Sequence, residues 1–113
     1  MNESNLVVLQ GHVSSEPRRR ELPSGTTLLQ IELTTTGDGA AISVPVVWFE
    51  PTRDFAPAEE LVVVGHVRRR FFRTGVGTQS RTEVVADHIV ATRRRRDVQR
   101  LVGRAIAALG GTG

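Results

Sequence analysis

Short apolar runs bounded by turn residues, with a clear period of two in residues 27–36, predict strands through most of residues 6–92. Leu6-Val7-Val8-Leu9-Gln10-Gly11-His12-Val13 is a first short run, ended by Ser14-Ser15-Glu16-Pro17. Residues 27–36 form a second, with Leu29, Ile31 and Leu33 on one face and Gln30, Glu32 and Thr34 on the other. Gly37-Asp38-Gly39 is a tight-turn signal, and residues 42–49 return as a third strand. Residues 61–72 make a long fourth strand, Arg73-Thr74-Gly75-Val76-Gly77-Thr78 a turn, and residues 79–92 a fifth. Pro51 and Pro57 leave room for one helical turn at most between the third and fourth. After Thr92 the period lengthens. Val98, Leu101, Val102, Ala105, Ile106 and Leu109 fall on one helical stripe, with Asp97 near its start and Gly110-Gly111 at its end.

Gln10-Gly11-His12-Val13 and Val64-Gly65-His66-Val67 echo one another. A glycine inside a strand weakens it unless the backbone bends or another chain segment comes close. Two such glycines in two strands suit the corners of a small closed barrel. Five strands closed along a Greek-key path are the OB-fold, so the expected architecture is all-β, a five-stranded OB barrel with a C-terminal α-helix. Residues 1–92 form the barrel domain in this reading, and residues 93–113 an arginine-rich helix with a glycine-rich end.

A chain of 113 residues holds one such core. No apolar run nears the roughly 18 residues of a membrane span. The first residues carry no basic-then-apolar secretory pattern. The chain contains no cysteine. A cytoplasmic protein without membrane contact is the expectation these features fit. Charge is distributed unevenly: all fifteen basic residues are arginine. Residues 1–64 hold four arginines against nine acids, and residues 65–113 eleven against three. That segregation predicts a local positive surface for an anionic partner, with nucleic acid foremost. Arginine can fork onto phosphate and stack on bases as well.

The fourth strand ends His66-Val67-Arg68-Arg69-Arg70-Phe71-Phe72-Arg73. Alternation sends Arg68, Arg70 and Phe72 to one face, and Val63, Gly65, Val67 and Phe71 to the other. A cationic surface with a stacking aromatic is how a protein holds single-stranded nucleic acid without reading its sequence. A strand charged only to discourage edge pairing would leave Phe72 unexplained. Arg69 falls on the inward parity, which predicts that the strand projects beyond the barrel here. On the third strand Val44, Val46 and Trp48 share one face, and Ser43, Pro45, Val47 and Phe49 the other. Both faces are apolar, so parity leaves Phe49 open between core and platform. Pro45 requires an edge or a bulge.

At this level the chain resembles the bacterial single-stranded DNA-binding proteins over about residues 5–92. Asn5-Leu6-x-x-Leu9-x-Gly11 resembles that family's first strand, and Glu16-Pro17-x-x-Arg20-x-x-Pro23-Ser24-Gly25 the loop after it. Gln30-Ile31-x-Leu33-x-Thr35 and Val46-Val47-Trp48-Phe49 are similar to its second and third strands. Val64-Gly65-x-Val67-Arg68-x-Arg70 and Thr82-Glu83-Val84-Val85-Ala86-Asp87 are similar to its fourth and fifth. The resemblance implies base stacking by Phe49 and Phe72, and a buried Trp48. On the arginine-lined face, Arg20, Arg68, Arg70, Arg73 and Arg81 are expected to contact phosphate or stack on bases. The resemblance also implies a bacterial, nucleoid-associated location, homo-oligomers (dimers or tetramers), and service in DNA replication, recombination or repair.

Several departures from the family modify that expectation. The hairpin near Gly37-Asp38-Gly39-Ala40 is short where the family has a long basic and aromatic flap. One family aromatic falls on Ser43, and the connection 50–60 is reduced. The chain ends Ala108-Leu109-Gly110-Gly111-Thr112-Gly113 instead of in an acidic tip. Binding weaker than the family's and more dependent on arginine is the expected consequence.

The helical stripe must be covered by the barrel or by a second subunit. Arg93-Arg94-Arg95-Arg96, Arg100 and Arg104 lie largely off it and stay available to nucleic acid. His12, His66 and His88 are scattered and lack a carboxylate pattern, Gly75-x-Gly77 is a turn without a following helix, and no catalytic constellation is visible. The sequence therefore predicts a binding protein rather than an enzyme, with no cofactor, metal or small-molecule substrate. Two other occupants fit the same face: RNA, or a protein partner in a primosome-like assembly.

Overall fold

The computed structural model describes residues 3–110. Six strands and one helix follow in order: β1 (Val7–Val13), β2 (Arg18–Glu21), β3 (Thr27–Gly37), β4 (Ala40–Phe49), β5 (Glu60–Thr74), β6 (Gly77–Ala91) and α1 (Arg95–Gly110). β1 pairs antiparallel with β5 from Val7 opposite Gly65 to His12 opposite Glu60, then passes to β3 at His12 opposite Thr34. β3 pairs with β4, β4 runs parallel to β6 at Val46–Val84 and Val47–Val85, and β6 pairs with β5. The ring β1-β3-β4-β6-β5 thus closes on itself, which is the OB topology predicted from the strand pattern. Pro45 lies just before the two-residue parallel pairing, where its missing N–H costs nothing.

Local chemistry explains the turns. Asp38 and Gly39, with φ of 51° and 80°, form a two-residue connection between Gly37 and Ala40. That is the left-handed pair a hairpin of right-twisted strands prefers. β2 is an addition to the predicted strands. It pairs with β3 outside the ring, Arg18 opposite Gln30 and Glu21 opposite Thr27.

The core takes Leu29, Ile31 and Leu33 from β3, Val46 from β4, Leu61 and Val63 from β5, and Val84 and Ala86 from β6. Phe55 joins them from the connection between β4 and β5, 5.5 Å from the half-buried Trp48 ring. The Arg53 guanidinium stacks 4.3 Å from the Phe55 centroid. Glu59 fixes this arrangement by accepting from Arg53 Nη2 at 2.6 Å and from the Ala56 N–H at 2.7 Å. The Ala56 N–H lowers the Glu59 pKa most, partial burial opposes it, and the Arg53 hydrogen bond and charge lower it further. A lowered folded-state pKa gives stability that is present above the ordinary value of 4.5 and lost as pH falls through the folded one. Glu59→Gln is accordingly expected to be less stable than the parent at neutral pH. Urea melts should show the difference closing as pH falls below the ordinary carboxylate range.

Helix α1 packs on β5 and β6. Ala105 is buried and Val98, Leu101 and Val102 are half-buried, so the first part of the predicted stripe docks on the barrel. Ile106 and Leu109 stay exposed, at 61% and 46%. The helix runs through Gly110, and the predicted glycine-rich end at 111–113 lies outside the described residues. Among the described residues no helix is long and apolar enough to cross a membrane.

Candidate nucleic-acid interface

The β5–β6 hairpin outruns the barrel wall. β1 accompanies β5 only as far as Gly65, and β4 accompanies β6 only at Val84 and Val85. Asn5 extends the β1 edge by one step, its side chain donating to the Val67 carbonyl at 2.7 Å and accepting from the Val67 N–H at 2.8 Å. From Arg68 onward the ribbon projects as the parity of Arg69 predicts. The odd-numbered face differs from expectation. Val67 and Phe71 are not interior but 40% and 66% exposed, since no wall remains for them to pack against.

Between the even-numbered face of this ribbon and the barrel wall runs a groove. Gln30 of β3, Val47 of β4 and Glu83 of β6 are common to its two halves. One half adds Arg18, Glu32, Pro45 and Arg81, and the other Arg20, Phe49, Arg68 and Arg70. Alternation in β2 explains why Arg18 and Arg20 enter the groove. Arg19, on the opposite parity, pairs with Asp54 at 2.5 Å. Arg18 is a groove residue beyond those expected from the sequence, and the Arg18-x-Arg20 spacing is the signal that points to it.

Two arginine–aromatic pairs stand along the groove. The Arg68 guanidinium lies 5.3 Å from the centroid of the half-buried Phe49 ring. That of Arg70 lies 5.2 Å from Phe72, which is 37% exposed. Such contacts hold the ring and the cation in mutual register. Below them sits Glu83, 2% exposed and directly opposite Arg68 in the strand register. Arg68 donates to Glu83 Oε2 from Nε at 3.0 Å and from Nη2 at 2.7 Å, and Arg70 Nε stands 3.6 Å from the same oxygen. One carboxylate thus holds two guanidinium groups against the groove and leaves a net positive charge beside the rings. Arg81 is tethered to Glu32 at 3.2 Å. Across the whole groove five arginines face three glutamates, Glu16, Glu32 and Glu83.

The structure therefore brings Phe49, Arg20, Arg68, Arg70 and Arg81 around one groove, with Phe72 joined to it through Arg70. Arg73 is separated from them. It shares the odd parity of Arg69 and Phe71, on the other face of the ribbon. His66 meets Asp87 at 3.3 Å, and no group of three or more His, Cys, Asp or Glu among the described residues is placed to hold a metal.

Fold and groove together define an OB barrel with an arginine- and aromatic-lined cleft. Neither a protein-family model nor a curated protein sequence matches the chain.

Proposed function

We propose that this barrel binds single-stranded DNA with little sequence preference, coating exposed strands during replication, recombination or repair. The observation that carries the reading is the pairing of Arg68 with Phe49 in the groove and of Arg70 with Phe72 at its margin, two cations flanked by two rings. Bases stack on the rings whatever their identity, and arginines offset the phosphates. Hydrogen-bond readout of sequence plays no part. The resemblance to bacterial single-stranded DNA-binding proteins supports the same reading. The exposed Ile106 and Leu109 of α1 suit a second copy of the chain, which makes a homo-oligomer part of the proposal.

Fluorescence anisotropy with labelled oligo-dT, its RNA equivalent and a duplex of equal length, across a salt series, tests it. Salt-sensitive preference for single-stranded DNA is the expected result. Equal or better binding of the RNA would move the function to RNA, and no binding even at low salt would turn the groove over to a protein partner. Phe49→Ala and Phe72→Ala should each cost about 1–3 kcal/mol of affinity. Arg18→Ala with Arg20→Ala should reduce the slope of log affinity against log salt by about 1.4, from two lost phosphate contacts on a single strand.

A further inference from the structure

The groove uses one face of the projecting ribbon, and the other face is chemically distinct. Along β5 it carries Arg69, Phe71 and Arg73, and directly across on β6 stand Thr82, Ser80 and Thr78. Phe71 is 66% exposed, the most open aromatic ring among the described residues. Among those residues neither Arg69 nor Arg73 has a carboxylate within ion-pair distance, in contrast to Arg68, Arg70 and Arg81 of the groove. Same-face neighbours on a strand recur every 6.8 Å or so, which sets a cation on each side of the ring. The face therefore offers an uncompensated positive charge, a π surface and three hydroxyls, with no acid.

We propose that this back face is a second contact site for the same single strand, Phe71 stacking a base and Arg69 and Arg73 holding the phosphates on either side. The proposal rests on the groove reading and extends it. A strand leaving the groove at Phe72 has to round only the free edge of β5, because β1 no longer accompanies that edge beyond Gly65. A second copy of the chain is a poor occupant, since it would set Arg69 and Arg73 against their own images. An acidic peptide would satisfy the arginines but not use Phe71 as a stacking surface. A polyanion with aromatic bases uses all three side chains.

Binding of two oligo-dT lengths to the full chain tests this, one short enough for the groove alone and one long enough for both faces, about 6 and 16 nucleotides within the range OB folds occupy. Phe71→Ala, and separately Arg69→Ala with Arg73→Ala, should weaken the long oligonucleotide about tenfold and leave the short one unchanged. Phe71 is exposed, so an unaltered melting curve is expected and serves as the folding control. Phe49→Ala runs in parallel and should weaken both lengths. Unchanged affinity of both back-face variants for the long oligonucleotide, with loss in Phe49→Ala, would overturn the second site and spare the groove. Loss in Phe71→Ala with none in Phe49→Ala would spare the back face and overturn the groove. An equal loss at both lengths in the back-face variants would show that Phe71 acts through the groove, and would overturn a separate site. Absence of binding by the parent chain would overturn both.

Discussion

Gly65→Ala is expected to lower the melting temperature by about 10 °C, an effect out of proportion to one methyl group. At Val64 and Gly65 the β5–β6 register shifts: Val64 faces His88, Gly65 faces Ala86, and Asp87 is left over. The bulge brings the two backbones together. A Cβ on Gly65 would collide with the Val85 carbonyl oxygen, and the next nearest atoms, the Val85 carbon and the Ala86 Cα, are also backbone. No side chain can rotate away, so relief requires opening the ladder where the ribbon leaves the barrel. Overpacking of this kind costs about 3 kcal/mol at the upper end of its usual range. In a domain of this size each kcal/mol moves the midpoint by roughly 4 °C. Gly11→Ala meets the Thr34 carbonyl oxygen in the same way where β1 passes from β5 to β3. Gly103→Ala is the control. It sits in open space on α1 and should gain up to about 1 kcal/mol in helix propensity. Thermal melts followed by circular dichroism decide it, and a Gly65→Ala midpoint within about 2 °C of the parent would refute the close approach.

The same two glycines show what was legible in the sequence. Glycine interrupting an otherwise β-branched run has few physical reasons to be there, and closing a small barrel is one of them. Five of the strands declare themselves, β3 by alternation and the others by apolar runs between turn residues. β2 does not, since Arg18-Arg19-Arg20-Glu21 has no apolar residue to alternate and is held by backbone pairing to β3 and the Arg19–Asp54 ion pair. Phe55 was equally silent. A lone aromatic between Pro51 and Pro57 carries no period, yet it fills the core. Val67 and Phe71 followed the interior parity of β5 and still came out exposed, because parity states which face a residue is on and not how far the barrel wall extends.

For the groove, parity on β5 was enough to align Arg68, Arg70 and Phe72. Phe49 needed the family resemblance, as both faces of β4 are apolar. Arg73 has the charge of the others but the opposite parity. Glu83 was out of reach for a different reason. Its place opposite Arg68 depends on the shifted register at Gly65, and a one-residue change in register would turn it away from both arginines.

That buried carboxylate sets up the largest expected effect of any substitution in the groove. Arg68→Ala with Arg70→Ala would remove both cations from Glu83, which is 2% exposed and has no other ion pair among the described residues. Stranding a buried charge in this way costs about 3–5 kcal/mol, against a total stability of about 5–15 kcal/mol for a domain of this kind. The double variant should therefore unfold at much lower urea, and a loss of DNA binding in it would say little about phosphates. Adding Glu83→Leu separates the two roles. The apolar side chain no longer needs a counter-charge, so the triple variant should recover most of the lost stability. If Arg68 and Arg70 contact phosphate, it should still bind with a salt slope shallower by about 1.4. Glu83→Leu alone works in the opposite direction. It leaves both arginines in a groove with one fewer negative charge, and should strengthen single-strand binding, most visibly at low salt. A double variant as stable as the parent would show that Glu83 does not depend on these arginines. A triple variant with stability restored and an unchanged slope would confine Arg68 and Arg70 to holding Glu83, and leave phosphate contact to Arg18 and Arg20.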